Sequence, residues 1–308
     1  MLRRVRPSGT RPILAALVLL GACNAGPPLI TSVRDAAAGK PHPDDPTEPT
    51  GSGGGPVNPG DAAPIFSFPD ATFEASPTGG EKVLVYAHSG SDLFSVDPQT
   101  LQFSRVGNFA IREPAPVKFL NDVTDIAVDR DGRIVGTTFN RLLQIDPANG
   151  DCKPIATLPP GRSFNGLSWV RADSGEERLL ATTLDGGVFR IDPATGAAEL
   201  VGSLGGGQRS SGDLVSVASY GTLVTLTGPG SDRLARIDPT TGAATVIGET
   251  GFQKIWGLGF WGNRVFGFTN TGQFILIDPK TGAGMLVESM PAFPFWGAGV
   301  TTSVPVIL

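Results

Sequence analysis

Two aspartates, Asp125 and Asp213, are the residues whose type and position could best do chemistry. Each lies where a predicted strand begins, so a repeating fold could bring the two carboxyl groups together. Two adjacent carboxyl groups can act as general acid and base or as calcium ligands, with Asn165 as a further candidate. An Asp at this place more often accepts a backbone N–H. The sequence leaves both alternatives open, and a close pair with a raised pKa would favour catalysis.

The only histidine in the repetitive part of the chain, His88, lies in Ala87-His88-Ser89-Gly90-Ser91-Asp92. These residues are neighbours in sequence, whereas Ser–His–Asp triads are assembled from separated segments. We therefore predict a turn residue. The chain has no Gly-x-Ser-x-Gly, His-Glu-x-x-His or Cys-x-x-Cys motif. We expect no metal site, no cofactor and no catalytic residue, and we leave enzymatic activity open, with a non-enzymatic role favoured.

Basic and aromatic residues precede the segments that we predict as innermost strands. Such residues could bind a carboxylate, a phosphate or an acidic glycan. The alternative is that the aromatic rings pack between repeats while the cations are solvated or paired. The candidate residues of this ligand face are Lys118, Arg162, Arg209, Lys254, Phe164, Trp256 and Trp296, together with Asp125 and Asp213.

A repeated motif, Ile-Asp-Pro-x-Thr-Gly, indicates how these residues are positioned. The copies begin at Ile191, Ile237 and Ile277, with looser copies at Ile145 and Val96. Their Asp residues are 49, 46, 46 and 40 positions apart. Alternating apolar residues before each copy predict a strand, and Asp-Pro-x-Thr-Gly predicts a tight turn in which Pro presets φ and Gly accepts a positive φ. Each motif is therefore the tip of a β-hairpin.

A second pair of predicted strands precedes each hairpin, for example 124–128 with 133–138 and 256–260 with 264–268. Four short strands per repeat of about 45 residues are typical of a propeller blade. Five motifs predict an all-β propeller of five four-stranded blades. Residues 295–300 repeat the pattern of residues 255–260, so we expect the C-terminal strand to complete the first blade. The alternative has six blades and uses 65–74 and 304–308.

The first 22 residues have the features of a signal peptide. Four Arg residues precede a short apolar core at 13–20, which is too short to span a bilayer stably. Leu20-Gly21-Ala22-Cys23 resembles the lipobox of bacterial lipoproteins, in which the Cys is acylated and becomes the new N-terminus. The resemblance implies a lipid anchor at Cys23, with palmitate among the fatty acids. Asn24 in place of Asp favours the outer membrane.

Residues 23–63 are rich in Pro and Gly and predict a disordered tether, followed by the propeller domain at 64–308. Without residues 1–22 the chain has 20 basic and 29 acidic residues, a net charge of about −9. So acidic a protein is a poor binder of nucleic acid, and we expect no nucleic-acid partner. Cys152 follows a predicted turn, which favours a small strand residue over a reactive thiol.

From about 82 to 300 the chain resembles bacterial envelope β-propellers with Ile-Asp-Pro-x-Thr-Gly repeats, a group related in pattern to YVTN- and PQQ-like repeat propellers. The tryptophan-docking motifs of quinoprotein propellers are not evident. Propellers host many unrelated activities, so the resemblance implies a fold. Our first hypothesis is a lipid-anchored binding or scaffold module for an envelope protein or glycan, in the periplasm or on the cell surface. The second is an envelope hydrolase or lyase.

Overall fold

A computed structural model describes residues 85–304, apart from 173, 218 and 219. These residues form 22 β-strands. The described part of the chain contains no helix that could cross a membrane. The predicted signal peptide at 1–22, Cys23, the tether at 23–63 and the start of the propeller domain at 64–84 lie outside the described residues.

Twenty strands form five antiparallel four-stranded sheets, the blades, here named from the innermost strand outward. Blade 1 consists of β22 (Gly297–Val300), β1 (Val85–His88), β2 (Asp92–Val96) and β3 (Phe103–Asn108). Blade 2 consists of β6 (Val123–Val128), β7 (Ile134–Thr138), β8 (Arg141–Ile145) and β9 (Cys152–Thr157). Blade 3 consists of β10 (Phe164–Arg171), β11 (Glu177–Thr183), β12 (Gly187–Ile191) and β13 (Ala198–Ser203). Blade 4 consists of β14 (Ser210–Val217), β15 (Gly221–Leu226), β16 (Arg233–Ile237) and β17 (Ala244–Glu249). Blade 5 consists of β18 (Ile255–Trp261), β19 (Arg264–Thr269), β20 (Gln273–Ile277) and β21 (Gly284–Ser289).

The five innermost strands contact one another in a closed ring, in the order β6, β10, β14, β18, β22 and back to β6. The C-terminal strand β22 pairs with β1 over four residues, from His88 opposite Gly297 to Val85 opposite Val300. The predicted five-bladed propeller, closed by the C-terminal strand, is thus confirmed. Closure gives β1 a partner on its inner edge, which would otherwise be open for aggregation.

The repeated motif forms the predicted turn between the third and fourth strands of every blade. In all five copies the Asp side chain accepts the N–H two residues on, at 2.8–2.9 Å. The last motif position has positive φ, from 71° to 81° in four Gly residues and 60° in Leu101. Each turn is therefore held by local hydrogen bonds, as its residue types predict.

The blades pack through apolar clusters that mostly join neighbouring sheets, such as Ala127 and Leu142 of blade 2 with Leu167 and Phe189 of blade 3. Cys152 is buried at the start of β9, and burial raises the pKa of its thiol to about 12. It is thus a strand residue, as predicted. A short hairpin, β4 (Ala110–Ile111) with β5 (Lys118–Phe119), is inserted between blades 1 and 2 and was not predicted.

Candidate functional site at the propeller axis

One residue from each innermost strand lies at the same level of the ring. Strand pairing places Asp125 opposite Thr137, Gly166 opposite Thr182, Gly257 opposite Phe268 and Gly297 opposite His88. In β14 the corresponding residue is Asp213, whose N–H lies 3.4 Å from Thr225 Oγ1. The level therefore consists of two aspartates and three glycines: Asp125, Gly166, Asp213, Gly257 and Gly297.

An irregularity in pairing occurs at this level in four of the five innermost strands, for example between Val123 and Asp125. Such a bulge redirects a side chain, and bulges are frequent near functional sites. Two of these bulges lie at Asp125 and Asp213, whose side chains are fully buried at the axis. The fold brings Asp125 and Asp213 close together, and each contributes a hydrogen bond that shifts the pKa of the other.

The two carboxyl groups collect backbone N–H groups from around the ring. Asp125 accepts the N–H of Ile126 at 2.8 Å through Oδ1 and that of Leu167 at 2.6 Å through Oδ2. Asp213 accepts the N–H of Leu214 and that of Leu258, both at 2.6 Å. The N–H of Ala298 also interacts with Asp213. All five innermost strands therefore contribute one donor to the pair.

Burial raises the pKa of Asp125 well above its usual range, and the negative charge and hydrogen bond of Asp213 raise it further. Burial also raises the pKa of Asp213, against the hydrogen bonds of Asp125 and of the backbone N–H groups. Two like charges cannot both be accommodated cheaply in a buried site. The two carboxyl groups therefore share one proton, and the pair holds one negative charge.

His88 is not the turn residue that we predicted. It is the last residue of β1 and fully buried, and its ring packs edge-on against Phe109 at 5.7 Å between centroids. Its Nδ1 donates to the carbonyl of Ser89 at 2.8 Å, and burial lowers its pKa to about 4. The ring is then neutral, and Nε2 is a lone-pair acceptor without a hydrogen-bond partner, 3.8 Å from Asp125 Oδ1.

The cations predicted for the ligand face lie ahead of the innermost strands. Lys118 in β5, Arg162 before β10 and Arg209 before β14 are exposed. Within the described residues, these three make no ion pair. Lys254 is half-buried directly before β18. The guanidinium of Arg162 lies 4.8 Å from the ring centre of Phe189, in cation–π contact.

The aromatic candidates have different environments. Phe164 is buried and packs edge-on against Phe189 at 5.6 Å, inside the core between blades 2 and 3. Phe164 therefore packs between blades, which is the alternative to ligand binding that the sequence left open for the aromatic residues. Trp256 is half-buried and Trp296 nearly buried, and their rings meet edge-to-face at 6.4 Å. Trp256 and Trp296 directly precede the axial glycines Gly257 and Gly297 in the sequence.

Comparison with known proteins adds little. No family model and no curated protein matches the chain. Similar solved structures include a symmetrical protein studied for its de novo evolutionary emergence (16% identity, TM-score 0.48, covering 73% of this chain and all of the other). Another is a protein of unknown function from Bacteroides caccae (9%, 0.38, 68% and 72%). A third is the computationally designed Ika8 protein (14%, 0.33, 70% and 61%). The propeller assignment thus depends on the chain's own strand topology.

Sequence reasoning missed His88 as an axial residue. The signal that could have found it is the match between Trp296-Gly297 and Trp256-Gly257. This match fixes the level of Gly297 in the ring, and the residue paired with Gly297 at the end of β1 is His88. Asn165, named as a further candidate, is buried just before the axial Gly166, and its Oδ1 has no hydrogen-bond partner.

Proposed function

We propose that this protein is a binding or scaffold module, anchored through acylated Cys23 to the outer membrane, whose ligand face holds an acidic envelope partner. The observation that carries the proposal is the group of exposed cations, Lys118, Arg162 and Arg209, that lie in separate connections between blades. A partner of this kind is an envelope protein with a carboxylate-rich surface or an acidic glycan. The domain would stand in the periplasm or on the cell surface.

The charge distribution supports this proposal. The chain without its first 22 residues has a net charge of about −9, yet Lys118, Arg162 and Arg209 are exposed and make no ion pair among the described residues. Exposed charges contribute little to the stability of the fold itself. They do steer an oppositely charged partner and select against a like-charged one.

Exposed apolar side chains occur next to these cations. Phe119, beside Lys118 in β5, is 66% exposed and Val117 is 43% exposed. Large apolar side chains near charged groups are typical of interface centres, where aromatic anchors provide much of the binding energy. The β4–β5 hairpin is therefore the first part of the ligand face that we expect to contact a partner.

The proposal is tested by copurification of the tagged full-length protein after crosslinking in native membranes, with partners identified by mass spectrometry. A first variant replaces Lys118, Arg162, Arg209 and Lys254 by Ala. A control variant replaces four exposed cations elsewhere, Lys153, Arg171, Arg178 and Lys280, by Ala, and therefore has the same net charge.

We expect the first variant to lose the partner and the control to retain it. Loss corresponds to a decrease in affinity of at least about tenfold, or about 1.4 kcal/mol for the four charges together. Binding to the wild type should weaken at high salt, because exposed charges are screened. Equal capture by both variants would show that the ligand face is not the binding surface.

One observation favours the alternative, an envelope hydrolase or lyase. Asp125 and Asp213 form a close pair with raised pKa values, as an acid and base would. Both carboxyl groups are fully buried, however, and every oxygen already accepts a backbone N–H. Turnover of an envelope sugar that is lost in Asp125→Asn, while the partner is still captured, would establish this alternative.

A further inference from the structure

Strand β22 closes the ring. Its blade combines this last described strand with the first three, β1, β2 and β3, whereas each other blade is formed by four consecutive strands. Its first residues meet the axial carboxyl groups directly. A Cβ atom built on Gly297 would lie 2.3 Å from Asp125 Oδ1 and 2.3 Å from His88 Nε2. The N–H of the next residue, Ala298, interacts with Asp213. The strand that closes the ring therefore contacts all three titratable side chains at the axis.

The distance of 3.8 Å between His88 Nε2 and Asp125 Oδ1 has a chemical consequence. Because Nδ1 donates to a carbonyl oxygen, which can only accept, the neutral ring presents its lone pair at Nε2. Two facing acceptors in a buried site repel each other unless a proton lies in the cluster. A proton held by the carboxyl pair reduces the negative charge that faces this lone pair.

We propose that His88, Asp125 and Asp213 form one proton-binding cluster, and that the proton it holds keeps the closing strand β22 in place. When the proton is lost, two negative charges and a histidine lone pair face each other over Gly297. Repulsion then separates the groups that hold Gly297 and Ala298. The ring opens at the junction of β22 with β1, where only four residue pairs connect the strands.

The surroundings contain few other groups that titrate. The strands β10, β18 and β22 contribute no titratable side chain at this level, and β7, β11 and β15 contribute Thr side chains. The next buried acid, Asp232, bonds to Ser211 at 2.5 Å and to the N–H of Ile255 at 2.7 Å, and its pKa is raised to about 6. Arg171, at the far end of β10, is exposed.

These neighbours define the pH window of the test. A carboxyl group with a raised native pKa makes the native state bind more protons than the unfolded state, so stability falls as pH rises toward that pKa. His88 acts in the opposite sense between about pH 4 and 6.5, and Asp232 is ionised above about 6. Cys152 contributes only above about pH 8.5. Among the described residues, the axial pair is the remaining contributor between about pH 7 and 8.

The experiment measures unfolding of the full-length protein by denaturant at about pH 7 and 8. For the wild type we expect the unfolding constant to increase by up to about tenfold from pH 7 to pH 8. This is the change expected when the native state binds one proton more than the unfolded state. Asp125→Asn carries a permanent neutral amide in place of the protonated carboxyl group, so it should lose this dependence. Asp232→Asn, a matched change of a buried acid outside the cluster, should keep it.

Hydrogen exchange tests whether the closing strand is the element affected. After correction for the intrinsic pH dependence of exchange, the amides of Gly297–Val300 should lose protection between about pH 7 and 8 in the wild type and not in Asp125→Asn. A wild-type unfolding constant that changes less than about twofold would overturn the proposal. So would a loss of protection in Gly297–Val300 that is as large in Asp125→Asn as in the wild type.

A measurement on the wild type keeps the proposal testable if Asp125→Asn does not fold. At about pH 7.5 ordinary carboxyl groups are ionised, so a protonated one in the native protein is identified by its infrared C=O stretch. We expect this band in the folded protein and its disappearance on unfolding. Its absence from the folded protein would show that the cluster holds no proton on a carboxyl group.

Discussion

Replacement of Gly297 by Ala perturbs the axis with the smallest change the chain allows. The added Cβ would lie 2.3 Å from Asp125 Oδ1 and 2.3 Å from His88 Nε2, whereas ordinary contacts begin at 3.4 Å. Each atom would have to retreat by about 1 Å. Neither is free to do so, since Asp125 is held by two backbone N–H groups and His88 by the Ser89 carbonyl.

The cost follows from these contacts. Overpacking a well-packed site costs about 1–3 kcal/mol, and weakening a hydrogen bond of a buried charged group costs about 1.5–3 kcal/mol. We therefore expect Gly297→Ala to lower the free energy of unfolding by about 3–5 kcal/mol. For a domain of this size the melting temperature should fall by roughly 6–20 °C.

Thermal and urea unfolding, followed by circular dichroism, measure this loss. Gly230→Ala is the matched control, because a Cβ there meets no atom within 4 Å and its φ is not positive. It should change the free energy of unfolding by at most about 0.5 kcal/mol. If Gly297→Ala were also within about 0.5 kcal/mol of the wild type, the contacts at the axis could not be as close as described, and the reasoning would fail.

Two further predictions concern the turns and the thiol. Gly242→Ala should cost more than Gly251→Ala in urea unfolding: both positions have positive φ, which costs about 1–2 kcal/mol, but only the Cβ at Gly242 meets a backbone atom, Ser203 N at 3.0 Å. Equal decreases in the free energy of unfolding of the two variants would show that the positive φ, and not the contact with Ser203, determines the cost. Cys152 should react with an alkylating reagent at about pH 8 only as fast as the protein unfolds, since burial raises its pKa to about 12. Rapid labelling in the native state, seen by peptide mass, would contradict its burial.

The fold could be predicted because its signals are local and repeated. Asp, Pro and Gly specify the same turn five times, and the alternating strands before it have one buried face. The similarity of Trp296-Gly297 to Trp256-Gly257 also predicted closure by the C-terminal strand. The β4–β5 hairpin was missed because it occurs once, with two residues in each strand, so neither repetition nor period marks it.

The candidate site was predicted only in part, for a different reason. The sequence indicated that Asp125 and Asp213 could converge, but it assigned His88 to a turn from its Ser and Gly neighbours. Those neighbours do form a turn, yet β1 extends one residue further and places His88 opposite Gly297. A residue at the end of a strand can be buried, whereas a residue in the following turn is usually exposed. Secondary-structure propensity alone does not locate the boundary between strand and turn.

The packing at the axis also explains why Asp125 and Asp213 occur in only two of the five repeats. Five innermost strands each direct one position inward, but a Cβ on Gly166 would lie 2.3 Å from Thr182 Oγ1, and one on Gly257 would lie 2.8 Å from the backbone of Gly297. The ring thus has room for only two side chains at this level. Because five backbone N–H groups also converge there, those two side chains must be acceptors. Two adjacent buried aspartates meet this need, and a shared proton removes the repulsion between their charges. A symmetrical repeat would fill all five positions alike, so the broken symmetry of two Asp and three Gly is what couples closure of this ring to a proton.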